Sequence, residues 1–117
     1  MSREPRLYLE DIREFCQKVL QYSAGLTFNE FVEDQKTFDA VIRNLEITGE
    51  AARQLSTEFK ERYPEVPWRR ISGFRDIAIH AYLTIEAEIV WDIIQNKVPE
   101  LLEQIERILA AEFPEAS

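Results

Sequence analysis

From Phe38 to Phe59 one apolar stripe runs through Val41, Ile42, Leu45, Thr48, Ala52 and Leu55, mostly at steps of three and four residues. Only a helix puts such positions on one face, because 3.6 residues complete each turn. The pattern recurs. Tyr8, Ile12, Phe15, Cys16, Val19 and Tyr22 mark a first helix from about Pro5 to Ala24, with Pro5 at a first-turn position and Gly25 ending it. Thr27-Phe28-Asn29-Glu30 has the form of a capping box and predicts a short helical turn through Val32. The second long helix is expected from about Lys36 to Tyr63. Gly49 interrupts its stripe at a cost in helix propensity, as a close helix crossing requires.

Pro64 and Pro67 bracket a tight connection, after which a third helix begins near Pro67 or Trp68. Thr84 marks a restart, followed by apolar Ile85, Ile89, Val90 and Ile93, and Pro99 opens a last helix carrying Leu101, Leu102, Ile105, Ile108 and Leu109. No segment alternates with a period of two, so strands are not expected. The fold class is therefore all-α, an antiparallel bundle of four or five helices. Its 117 residues make one domain, residues 1–117, with residues 113–117 as a frayed acidic tail.

Composition narrows the function. No stretch approaches the roughly 18 apolar residues of a membrane span, and Met1-Ser2-Arg3-Glu4-Pro5 leads directly into a charged amphipathic segment rather than a signal-peptide core. A cytoplasmic location is the expectation. Cys16 is the single cysteine and fits a small core hydrophobe, so no disulfide framework or zinc spacing is present. The net charge of −8 argues against nucleic-acid binding over the whole surface. Charge is uneven, however. Residues 53–75 hold six basic against three acidic side chains, and this stretch runs into the chain's single histidine.

That histidine lies in Arg75-Asp76-Ile77-Ala78-Ile79-His80-Ala81-Tyr82, an Arg-x4-His-x-Tyr string. Histidine exchanges protons near neutrality and arginine is a permanent phosphate-binding charge. On one straight helix at roughly 100° per residue, Arg75 and His80 point about 140° apart, whereas Arg75 and Tyr82 nearly coincide. A bend near His80, or a site shared by two copies of the chain, would bring arginine and histidine together. Asp76, four residues before His80, is placed to accept its hydrogen bond. Arg69 and Arg70 are candidate phosphate contacts. From these residues alone the competing explanation is structural: a polar helix-lining histidine, a surface ion pair at Arg75, and a core-edge tyrosine. Trp68 and Trp91 read as core anchors.

Three ordered blocks add weight. Asn44-Leu45-Glu46-Ile47-Thr48-Gly49-Glu50-Ala51-Ala52, Pro67-Trp68-Arg69-Arg70-Ile71-Ser72-Gly73-Phe74-Arg75 with the string that follows, and Glu88-Ile89-Val90-Trp91-Asp92 resemble, in that order, segments of the HepT-like proteins of the HEPN superfamily. The resemblance spans about Tyr8 to Leu109. One position departs: the residue after the arginine is often Asn in that family, and here it is Asp76, whose charge repels RNA.

The resemblance implies a dimerising HEPN-like bundle. It also implies the toxin of a type VII-like toxin–antitoxin pair, a homodimeric, metal-independent endoribonuclease without a cofactor. Arg75 and His80 would be catalytic in a cleft on the dimer axis. The antitoxin would be a MntA-like nucleotidyltransferase that uses ATP to place AMP on Tyr82. A second reading keeps the partnership without the chemistry: a non-catalytic helical subunit regulating a nucleotidyltransferase. A third, a nucleotide-binding module, lacks a Gly-rich phosphate loop.

Overall fold

A computed structural model describes residues 4–84 and 86–116 of the chain. They form a helical bundle, and no strand occurs among them. The helices are α1 (Pro5–Ser23), α2 (Phe28–Glu33), α3 (Gln35–Gln54), α4 (Thr57–Glu61), α5 (Trp68–Ser72), α6 (Phe74–Thr84), α7 (Ala87–Asp92) and α8 (Val98–Glu112). A π-helical segment, Ile93–Lys97, joins the last two, and a 3-10 turn covers Pro114–Ala116. No helix among the described residues is long and apolar enough to cross a membrane.

Helix α3 is the centre of the bundle, with α1 on one side and α5 and α6 on another; α1 also packs on α8. The stripe residues become the core. Leu9, Ile12 and Val19 of α1, Val41 and Leu45 of α3, and Ile105 and Leu109 of α8 are all buried. Each such side chain contributes about 1.5–3 kcal/mol relative to exposure. Cys16 is buried with them, and burial pushes its thiol pKa up to about 12. Trp68 is buried and its Nε1–H donates to the Tyr63 carbonyl at 3.0 Å, while Trp91 packs among Phe28 and Phe31.

The local signals account for the helix ends. Gly25 takes φ +76° after α1, in the left-handed region that favours glycine. Thr27 closes a complete capping box: the Glu30 N–H donates to its Oγ1 at 3.2 Å, and its own N–H donates to Glu30 Oε1 at 2.9 Å. Asp34 caps α3 by accepting from the Thr37 N–H and hydroxyl, which holds its carboxyl below the usual range.

Three boundaries differ from expectation. The second helix does not continue to Tyr63. It stops at Gln54, because Leu55 turns extended (ψ 141°) and the Ser56 hydroxyl accepts from the Phe59 N–H at 3.1 Å to start α4. Leu55 and Phe59 both stay in the core across the turn. The third helix begins at Trp68 as expected but is jointed at Gly73, with the chain passing directly into α6. The last helix starts at Val98, one residue before Pro99, and is fused to α7 through the π segment. Pro99 has no N–H to offer the preceding turn, and the wider turns before it accommodate the ring.

The restart at Thr84 is found: α6 ends there, the Thr84 hydroxyl donates to the His80 carbonyl at 2.8 Å, and α7 begins at Ala87. Ile85 lies outside the described residues, as do Met1, Ser2, Arg3 and Ser117. In the acidic tail, Phe113 packs against the core ahead of the 3-10 turn.

Gly49 is where α3 meets the α5–α6 joint. A Cβ there would lie 2.7 Å from the Arg75 backbone nitrogen and 3.1 Å from the carbonyl oxygens of Ile71 and Ser72. The glycine thus lets the backbone that introduces Arg75 rest directly on α3, as the interruption in the stripe predicted.

Candidate functional site

Helix α6 presents the Arg-x4-His-x-Tyr string. Phe74, Ala78 and Ala81 face the core, and the two alanines let the helix lie close against its neighbours. The remaining positions fall where helical periodicity puts them. Arg75 and Tyr82 flank the buried side towards α3. Asp76 and His80 point away from it, while Leu83, 74% exposed, stands on the rim of the hollow that Tyr82 lines.

Arg75 is partly exposed and held by two carboxylates. Its Nε lies 3.7 Å from Glu50 Oε2, and its Nη1 lies 3.7 Å from Asp76 Oδ1. It lines a polar hollow of about 300 Å³ with Arg43, Glu46, Ile47, Glu50 and Arg53, all on one side of α3. Tyr82 stacks on Phe38, with ring centroids 6.4 Å apart and planes inclined by 24°, and remains 46% exposed. Tyr82 lines an adjacent hollow of about 320 Å³ that shares Arg43 and Glu46 with the first. Arg75 and Tyr82 therefore lie along one strip, as their helical projection predicted.

His80 does not join them. Its side chain is 64% exposed, lines neither hollow, and has Glu86 as its carboxylate partner, with Nε2 3.4 Å from Oε2. The helix does not bend at His80, so within one chain the arginine and histidine stay apart. Asp76 is corrected in role: it reaches Arg75, not His80. The reason is reach, since Glu86 follows the end of α6, where its N–H donates to the Ala81 carbonyl at 3.0 Å and brings the side chain back to the histidine.

Arg69 and Arg70 are exposed in the last turn of α5. Arg70 borders a separate groove of about 690 Å³ between α5–α6 and α7–α8, whose apolar floor includes Ile71, Phe74, Ile77 and Ile93. This larger groove contains none of Arg75, His80 and Tyr82. Among the described residues no three His, Cys, Asp or Glu side chains group as metal ligands would.

Sequence reasoning missed Arg43, Glu50 and Glu86. Arg43 and Glu50 were findable: they share a helical side with Glu46 and flank the Gly49 crossing. Glu86 was not, because a break in the helix separates it from His80.

The all-helical architecture agrees with comparison to known proteins. The family model described as ribonuclease HepT-like matches residues 8–108. The chain belongs to this family, within the HEPN superfamily. It is 43% identical over 108 residues to the Methanocaldococcus jannaschii protein named "Putative RNase MJ0127", covering 92% of this chain and 89% of that protein. It is 40% identical to "Putative RNase TTE0752" of Caldanaerobacter subterraneus (94% and 98% covered). It is also 37% identical to "Probable ribonuclease HepT" of Thermococcus cleftensis (92% and 98%). No solved structure matches the chain.

Proposed function

We propose that this chain is a metal-independent endoribonuclease that works as a homodimer and is the toxin of a pair with a MntA-like nucleotidyltransferase. Ribonuclease names among its relatives support the activity. The observation that supports the homodimer is the divergence of the motif. Arg75 faces α3, whereas His80 stands on the outward face, and the strongly exposed Leu83 stands on the rim of the Tyr82 hollow. One chain alone does not assemble an arginine–histidine site. A second copy docked over Leu83 would cover that apolar side chain and set two histidines and two arginines around one cleft.

The chemistry needs only these groups. The ribose 2′-oxygen attacks phosphorus after one His80 accepts its proton, and the 5′-oxygen leaves with a proton from the other. Arg75 holds the non-bridging oxygens as charge builds on the phosphorane. The products are a 2′,3′-cyclic phosphate and a free 5′-hydroxyl. AMP placed on Tyr82 would enter the strip that leads to Arg75, adding bulk and negative charge where RNA phosphate binds.

The alternative, a non-catalytic subunit of a nucleotidyltransferase, is favoured by the two carboxylates that occupy Arg75. One experiment separates the readings. RNA incubated with unmodified protein in excess chelator is expected to yield 2′,3′-cyclic ends, and His80→Ala to abolish them while remaining folded. Absence of cleavage by wild type, with retained binding to the nucleotidyltransferase, would establish the alternative.

A further inference from the structure

The hollow beside Arg75 contains more positive charge than one catalytic arginine explains. Arg43, Arg53 and Arg75 converge on it, although the chain as a whole carries −8. Two of the three are held by glutamates of the same helix, Arg43 by Glu46 at 3.5 Å and Arg75 by Glu50 at 3.7 Å. Arg53 has no carboxylate within ion-pair distance among the described residues. Arg43 is 68% exposed and Arg75 and Glu50 more than 40%, with Glu46 at 29%, and ion pairs this open to solvent are worth little. A phosphodiester, which guanidinium recognises in bidentate fashion, can displace the glutamates at small cost.

Arg43 and Arg53 are ten residues apart on α3, or about 15 Å along its axis, enough for more than one backbone phosphate. Arg75 enters between them, seated on α3 by Gly49.

The geometry points to a phosphate track for single-stranded RNA along α3, in which Arg43 and Arg53 hold phosphates flanking the one at Arg75, and Glu46 and Glu50 occupy the arginines until RNA arrives. This assignment rests on the ribonuclease reading and adds the direction in which the substrate lies. It also sets the sign of each glutamate's effect. The carboxylates compete with RNA, so removing their charge strengthens binding even though ion pairs are lost.

The test uses a fluorescent single-stranded 2′-O-methyl RNA, which has no free 2′-hydroxyl and so cannot be cut, and measures anisotropy over a salt series. R43Q/R53Q is expected to weaken binding about tenfold or more and to lower the slope of log K against log salt by about 1.4, at roughly 0.7 per single-strand phosphate contact. E46Q/E50Q is expected to tighten binding several-fold. R107Q, on the remote surface of α8 where Arg107 pairs with Glu103, removes one positive charge as a control and should move neither quantity.

Affinity and slope in R43Q/R53Q equal to those of R107Q would overturn the track, as would weaker binding in E46Q/E50Q. A change of oligomeric state in R43Q/R53Q by light scattering, accompanying the loss, would also overturn it by assigning the arginines to a protomer contact. If wild type binds the probe with these responses but leaves all-ribose RNA intact, the track stands and the ribonuclease reading fails. If wild type cuts RNA while R43Q/R53Q binds normally, only the track fails. If wild type binds no RNA, both fail.

Discussion

Gly49→Ala adds a single methyl group, and two effects of known sign then oppose each other. In an open helix the change stabilises, because alanine is about 1 kcal/mol better than glycine in a helix interior. Here the new carbon would stand 2.7 Å from the Arg75 nitrogen and 3.1 Å from two carbonyl oxygens. All three are backbone atoms of the α5–α6 joint, so no flexible side chain can swing aside. Relief needs the two segments to separate by roughly half an ångström or more. Overpacking of this kind costs about 1–3 kcal/mol or more, so the steric term wins or at least cancels the propensity gain.

We expect a net change between zero and a loss of about 2 kcal/mol, read as a fall in the urea midpoint at unchanged m-value. The same displacement moves the start of the helix bearing Arg75, so RNA cleavage should fall more steeply than stability. Shifts near 1 Å at a reacting centre cost up to about a hundredfold in rate. A Gly49→Ala variant stabilised by the full propensity gain, with wild-type cleavage, would refute the claim that the crossing is closed by backbone contact.

Three further outcomes follow from contacts already described. Glu86→Gln removes the charge beside the His80 Nε2 and is expected to lower the cleavage rate about tenfold or more with little change in RNA affinity; an unchanged rate would show that His80 needs no help from this residue. Tyr82→Phe keeps the ring stacked on Phe38 and should fold, cut RNA and escape silencing, with intact-mass spectrometry finding AMP on wild type but not on the variant after co-expression with an active nucleotidyltransferase; AMP on the variant would place the modification elsewhere. Asp34, whose folded pKa is depressed below 3.8 chiefly by the Thr37 hydroxyl, contributes stability that is present above the unfolded pKa and lost as pH falls through the folded value. The stability difference between wild type and Asp34→Ala should therefore shrink below about pH 3.8, and a difference that stays constant down to acid unfolding would contradict the charge-assisted cap.

Periodicity made most of the helices legible, since burying an apolar stripe leaves few choices of face. Thr27 with Glu30, Gly25, and the interruption at Gly49 were readable because each has a local chemical reason. The break at Leu55 was not, because the stripe positions on both sides remain apolar and only the Ser56 cap, competing with helix continuation, decides the matter. Nor was the π segment, which exists to take Pro99 into a continuing helix.

At the candidate site, the 140° divergence of Arg75 and His80 and the approach of Arg75 to Tyr82 followed from helical geometry alone. The carboxylates did not. Asp76 sits at the right interval from His80, yet spacing along a helix does not rank partners, and Glu86 wins from beyond the helix end.

The burial of Cys16 gives this molecule a built-in clock. The chain has one thiol, placed between Ile12 and Val19 in the core and protonated at any ordinary pH. Thiol reagents can reach it only when the α1 layer opens, so its rate of modification reports the free energy or the rate of that opening, depending on which step is slower. The same protection leaves the surface chemically silent towards maleimides. A cysteine placed at any exposed position can then carry a probe without first removing the native one.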